Sequence, residues 1–132
     1  MRTYHLDDLL YIAHTITELG LGVIKLRGYY AHEDSSSKPL ASQIYVRHHA
    51  SALLALALLG WLVWRRGLVR TDAGAIVSLT LSVFHVGAVL ANLWGWIVGA
   101  ATLTKIVVPH LPFAVGFSWH ALRPVMLEPK LS

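Results

Sequence analysis

Long apolar runs dominate this chain and predict helices that cross a membrane. Residues 73–104 contain no Asp, Glu, Lys or Arg, and the stretches 48–64 and 106–122 are equally free of them. A membrane-spanning helix needs about 20 mostly apolar residues. The pattern therefore predicts three such helices, at roughly 43–65, 73–97 and 104–124.

A fourth apolar stretch, at 5–27, predicts another helix, although Asp7, Asp8, Glu18 and Lys25 interrupt it. A polar segment at 28–42 follows it and is expected to form a solvated loop. In lipid only helices and closed barrels satisfy their backbone polar groups, and no strand-like alternation occurs here. Four helices with short connections predict an all-α, integral membrane, up-down-up-down four-helix bundle that forms a single domain over 1–132.

The connection between the second and third helices carries signals for both helix ends and for orientation. Arg65 and Arg66 are expected at headgroup level, and Thr71 with Asp72 offers an N-cap and a negative charge for the third helix. Four spans place both termini and this connection on one side of the membrane. Six cations lie on that side and five on the other, so the number of cations barely decides the orientation. The compact group of Arg65, Arg66 and Arg70 favours cytosolic termini.

The composition agrees with a membrane protein and narrows the chemistry. The chain is 55% hydrophobic and only 14% charged, against about 25% charged in soluble domains. The absence of cysteine excludes disulfides and thiolate metal sites. The net charge is +4, but the cations lie between apolar runs, which favours lipid headgroups over nucleic acid as their partners.

Polar residues recur at helical spacing on one face of the first and third helices. On these two faces lie Asp7, Tyr11, His14 and Glu18, and Ser78, Ser82, His85 and Asn92. Glu18 and His85 fall near the middle of their helices, where a charge costs about 2.5–3.5 kcal/mol. Such residues usually face a bundle interior or a cavity, so the spacing predicts a buried polar pocket.

Other polar residues have more ordinary interpretations. His48, His49 and His120 lie towards helix ends and are expected to contact headgroups. Ser78 and Ser82 are expected to support helix packing. His110 differs, because it lies between Pro109 and Pro112, and proline-interrupted helices at membrane depth are tolerated where they line a cavity.

The predicted pocket favours acid–base chemistry on a lipophilic metabolite, without a cofactor. Glu18 and His85 are predicted to be the acid–base pair, and His14 to orient Glu18. Asn92, His110 and Tyr11 are predicted to position the substrate or a water molecule. Epoxide opening by hydrolysis or cyclisation, or movement of a double bond, needs only such a pair.

Two alternatives use the same residues differently. His14, Glu18, His85 and His110 are also candidate ligands for zinc, non-haem iron or haem, although no HExxH or CxxCH motif is present. In the other alternative the polar faces hold the helices of a non-catalytic carrier or partner protein together. A GxxxG pair at Gly95 and Gly99 also allows a homodimer.

Two resemblances agree with this interpretation. The four-span layout resembles the small DoxX-like membrane proteins. The stretches His48-His49-Ala50, Phe84-His85-Val86-Gly87-Ala88 and Pro109-His110-Leu111-Pro112-Phe113 are similar to segments of small multi-pass proteins of fungal polyketide and meroterpenoid pathways. That resemblance covers about 40–122 and implies an oxygenated lipophilic substrate and cofactor-free ring opening in secondary metabolism. It assigns no catalytic residue.

Overall fold

The computed structural model describes residues 5–31, 40–99, 102, 104, 108 and 110–123. These residues form four helices, and no strand occurs among them: α1 (Leu6–Ala31), α2 (Leu40–Arg65), α3 (Asp72–Ile97) and α4 (Leu111–Leu122). The prediction of an all-helical chain with four helices is confirmed for this part of the chain.

The first two helices extend into the segment that the sequence predicts as a loop. α1 continues to Ala31 and α2 begins at Leu40, while 32–39, the centre of the predicted loop at 28–42, lies outside the described residues. Proline directly before a helix costs no hydrogen bond, because the first amide groups of a helix have no partner within it. With Pro39 immediately before it, α2 begins at Leu40 without that loss.

A short turn joins α2 to α3 and explains both helix ends. Gly67 has a φ of 70°, a conformation that glycine adopts without steric cost, and it ends α2. The Leu68 amide donates to the Val63 carbonyl at 3.0 Å. Thr71 caps α3, because its side chain accepts a hydrogen bond from the Gly74 amide. This N-cap was predicted from the sequence and is confirmed.

The fourth helix begins later than the predicted span at 104–124. Thr104 is helical, but α4 itself begins at Leu111, with His110 as its N-cap. Pro112 lies in its first turn, where the missing N–H has no intrahelical role. The 12 residues of α4 extend about 18 Å, which is less than the roughly 30 Å of a bilayer core.

Three helices are long and apolar enough to cross a membrane. The qualifying segments are Leu6–Arg27 in α1, Ile44–Arg65 in α2 and Asp72–Ile97 in α3.

The chain divides into two compact units, each of which has its own close contacts. The α1–α2 unit comprises Ile12–Leu62, and the α3–α4 unit comprises Met1–Tyr11 with Val63–Ser132. In the α1–α2 unit, a Cβ on Gly22 would lie only 2.9 Å from a Leu54 methyl carbon. The two helices therefore approach closely at this glycine, as small residues permit.

In the α3–α4 unit, α4 packs along α3 in the opposite direction. Ser78 near the start of α3 contacts His120 near the end of α4, and His85 in the middle of α3 contacts His110 at the start of α4. The apolar core between them includes Leu81. The start of α4 therefore lies level with the middle of α3.

Candidate functional site

Three pairs of polar side chains join α3 to α4, and we call these six residues the polar seam. The pairs and their distances are Ser78 with His120 at 2.7 Å, Ser82 with Ser118 at 2.6 Å, and His85 with His110 at 3.3 Å. The three α3 members are spaced by four and three residues, so they occupy one helical face. All three are buried, as the sequence spacing predicted.

Residues at the start of α1 contact the end of the polar seam that contains Ser78 and His120. The Tyr11 hydroxyl lies 2.7 Å from Ser78 Oγ and donates to the Gly74 carbonyl at 2.9 Å. Its ring meets Phe117 edge-on, with centroids 5.2 Å apart. The tyrosine is fully buried. These contacts make it a junction between α1, α3 and α4.

An ion pair lies beyond this junction. Arg123 donates a hydrogen bond from Nη2 to a carboxylate oxygen of Asp7 at 2.5 Å. The Arg123 side chain is 45% exposed, whereas Asp7 is mostly covered. The bridge ties the start of α1 to the end of α4, and part of the guanidinium stays accessible.

The His85–His110 pair forms the other end of the polar seam. Its two Nδ1 atoms face each other, so one ring carries the shared proton and the other accepts it. His85 is fully buried, and its ring stacks on Phe117 with 13° between the planes and lies 5.3 Å from Phe113. His110 is only partly buried. The arrangement allows a proton to pass from one imidazole to the other within an aromatic environment.

An apolar cavity of about 680 Å³ lies along the same two helices. Val86 and Leu90 of α3 and Leu111 and Val115 of α4 form part of its wall. Ser118 also lines it, so the cavity and the polar seam share a residue. Its volume is within the range of about 300–1,000 Å³ that is typical of small-molecule pockets. Val86 and Leu111 follow His85 and His110 in the sequence, whereas the two histidines are not among the residues that line the cavity.

The α1–α2 unit contains the two other residues predicted to be catalytic. His14 Nε2 lies 3.9 Å from a Glu18 carboxylate oxygen, one helical turn away, and both side chains are fully buried. The two side chains are therefore neighbours on one face of α1, and the role of His14 in orienting Glu18 stays a prediction. His85 belongs to the other unit, so the pairing of Glu18 with His85 stays a prediction, as does the metal alternative that uses residues of both units.

Two predicted substrate-binding residues have contacts within the protein. The Asn92 side-chain amide donates to the Ala88 carbonyl of its own helix at 2.8 Å. Tyr11 takes part in the junction with Ser78 and Gly74. Neither is among the residues that line the cavity. The assignment of Asn92 and Tyr11 to substrate binding stays a prediction, whereas Leu111, next to His110, forms part of the cavity wall.

His120 is the residue that the sequence interpretation missed. It was expected to contact headgroups, but it is only 6% exposed and its ring contacts Ser78 and the Val69 backbone. Its position near the end of α4 suggested an interfacial role. Phe113, Phe117 and His120 are four and three residues apart and share the buried face, but apolar residues occur all round α4, so the spacing alone does not identify this face.

Comparisons with known proteins provide no further assignment. No protein-family model, curated protein or solved structure matches this chain. The resemblance to DoxX-like proteins and to fungal pathway hydrolases stays a prediction that rests on the residues quoted for it.

Proposed function

We propose that the chain is a multi-pass membrane protein with an up-down-up-down bundle and cytosolic termini. Three helices have the length and hydropathy of membrane spans. Large apolar side chains also project outward along them, including Ile76 and Val83 of α3, which are 67% and 65% exposed. Extended apolar surfaces of this kind are unfavourable in water and suit a lipid environment.

Within this membrane protein, we propose cofactor-independent acid–base catalysis on a lipophilic metabolite. The observation that carries the proposal is the His85–His110 pair beside an apolar cavity along the same helices. Imidazole exchanges protons near neutral pH more readily than any other side chain. The apolar side chains that line the cavity supply a binding surface for a lipophilic substrate.

Epoxide opening is the reaction that uses these parts most directly. A protonated imidazole of the pair gives its proton to the epoxide oxygen as one carbon–oxygen bond breaks. A water oxygen forms the new carbon–oxygen bond, and the proton that this water releases goes to the acid–base partner. The product is a diol that contains the epoxide plus one water. Glu18 is the partner in this proposal, on the basis of its position in the sequence.

A non-catalytic carrier is the second candidate. The contacts at the end of the polar seam that contains Ser78 and His120 favour it. Ser78 lies within hydrogen-bond distance of both Tyr11 and His120, and such polar contacts are typical of groups that hold membrane helices together. If the polar seam only holds the helices together, the cavity binds a lipophilic molecule and the protein does not convert it. Turnover distinguishes the two candidates.

The test compares membrane-inserted wild type with His85→Gln and Glu18→Gln in one expression host. Lipophilic extracts are compared by untargeted mass spectrometry, and each variant's fold is checked by its thermal unfolding. His48→Gln is the matched control, because His48 is an exposed histidine in α2. We expect a product heavier than its precursor by one water in wild type and His48→Gln, reduced at least a hundredfold in the other two.

Unchanged product in folded His85→Gln would remove the catalytic assignment of that residue. Loss of product in His85→Gln but not in Glu18→Gln would keep the enzyme and reject Glu18 as the partner. If no extract differs from that of a host without the protein, the carrier is the better assignment.

A further inference from the structure

Residues that line the cavity beside the polar seam occur along the whole of α4. Leu111 lines it at the start of the helix, Val115 and Trp119 follow one turn apart, and Arg123 lines it just beyond the helix end. The backbone positions of these residues extend over about 18 Å, since α4 has 12 residues. A ligand that contacts all of them is therefore long and narrow.

The two ends of the cavity differ in chemistry. Among the residues that line it, Arg123 is the charged one, and Ser118 adds a hydroxyl. The Arg123 guanidinium has five N–H donors, of which the Asp7 contact uses one side. Trp119 is 69% exposed at the same end, and Trp with Arg is typical of the headgroup level of a membrane. The other end is apolar and adjoins His110.

From this asymmetry we propose that the cavity binds a single-chain amphiphile with a carboxylate head, such as a long-chain fatty acid. The carboxylate binds the open side of the Arg123 guanidinium, and the chain lies along α4 towards Leu111. This inference rests on the proposed function, because it names the substrate class of the same site. It also places the reacting carbon near His110, far from the carboxylate.

Volume favours this ligand over a phospholipid with two chains. Arg123 Nη2 donates to Asp7, and the remaining N–H groups of the planar guanidinium can pair with the two oxygens of a carboxylate. A volume of about 680 Å³ is typical of a pocket for one small molecule and suits one acyl chain better than two.

The experiment measures binding without turnover. Tritiated palmitate is bound to purified, detergent-solubilised protein in a scintillation proximity assay, with unlabelled palmitate, methyl palmitate or lysophosphatidic acid as competitor. We expect palmitate to compete about tenfold better than its methyl ester, a ratio of the size that one charge-assisted contact provides. Lysophosphatidic acid is expected to compete less well than palmitate.

Two pairs of variants locate the site. Arg123→Gln is expected to remove the preference for the acid over the ester, while Arg123→Lys keeps part of it. Val115→Trp fills the cavity from an exposed position and is expected to weaken palmitate binding at least tenfold. Val83→Trp is its matched control, because Val83 is equally exposed on α3 and does not line the cavity.

Three results would overturn the inference. These are equal competition by the acid and the ester in wild type, equal binding by Val115→Trp and Val83→Trp, or stronger competition by lysophosphatidic acid. If Arg123→Gln does not fold, the comparison of Val115→Trp with Val83→Trp still decides. If palmitate binds but product formation is the same in wild type and His85→Gln, the proposed function alone is rejected. If product formation depends on His85 but palmitate does not bind, this ligand class alone is rejected.

Discussion

Ser78 joins three helices through one hydroxyl group. It lies 2.7 Å from both the Tyr11 hydroxyl of α1 and the His120 Nδ1 of α4, and it is fully buried in α3. Removal of this oxygen would leave two buried polar groups without their shared partner, which costs more than the loss of an exposed hydrogen bond.

We predict that Ser78→Ala lowers the free energy of unfolding by about 1–2 kcal/mol, the upper range for polar contacts between membrane helices. Unfolding by sodium dodecyl sulfate in mixed micelles, followed by circular dichroism, measures the change. Ser51→Ala is the matched control, because the Ser51 hydroxyl bonds only to the Arg47 carbonyl in an exposed part of α2. It is expected to change stability by less than about 0.5 kcal/mol.

Equal stability changes for Ser78→Ala and Ser51→Ala would contradict the role of Ser78 as a junction.

The residue pattern predicted which side chains of α3 are buried, but not what they bond to. Spacings of four and three placed Ser78, Ser82 and His85 on one face, and all three are buried. Their partners depend on how α4 is rotated about its own axis, and its apolar residues occur all round the helix. Sequence periodicity therefore did not identify His120 or Ser118 as the residues that face α3.

At the scale of elements, the helices that begin or end with turn-forming residues were predicted most closely. Gly67 and Thr71 fix the turn between α2 and α3, and α3 begins within one residue of its predicted start. The predicted span at 104–124 contains Pro109 and Pro112, and Pro112 lies in the first turn of α4. Proline occurs both at helix starts and at kinks within helices. Hydropathy does not distinguish the two, because the residues on both sides of the prolines are apolar.

The start of α3 packs so closely on the preceding turn that it requires glycine. A Cβ on Gly74 would overlap the carbonyl oxygens of Leu68 and Val69. We predict that Gly74→Ala lowers the free energy of unfolding by about 1–3 kcal/mol, because backbone atoms must move to make room. The same detergent titration measures it.

Gly87→Ala is the matched control in the middle of the same helix. A Cβ at Gly87 has no neighbouring atom within 4 Å, and alanine is the better helix former. Gly87→Ala is therefore expected to leave stability unchanged or to raise it by up to about 1 kcal/mol. A fully stable Gly74→Ala protein would show that α3 does not pack on the 68–69 backbone as described.

At the scale of the whole molecule, composition predicted a helical membrane protein, and the absence of cysteine makes its topology measurable. Single cysteines can be added at Arg66, in the turn after α2, and at Thr102, beyond the end of α3. If α3 spans the membrane, a membrane-impermeant maleimide labels Arg66→Cys only from the cytosolic side and Thr102→Cys only from the opposite side.

A cysteine at Val83 serves as the control for burial in lipid. Val83 is exposed on the protein surface, so only surrounding lipid would protect it from the reagent. We expect no labelling of Val83→Cys in intact membranes. Labelling of Arg66→Cys and Thr102→Cys from the same side, or rapid labelling of Val83→Cys, would contradict a membrane-spanning α3.

Isotope incorporation distinguishes a protein whose histidines add water to a lipophilic oxide, as we propose, from one that only binds such a molecule. Purified protein in lipid nanodiscs is incubated with long-chain epoxy fatty acids in water that carries the heavy oxygen isotope. We expect diols with one heavy oxygen for wild type and His48→Gln, and only the protein-free background for folded His85→Gln. Label at background in wild type, or equal label in His85→Gln, would contradict it.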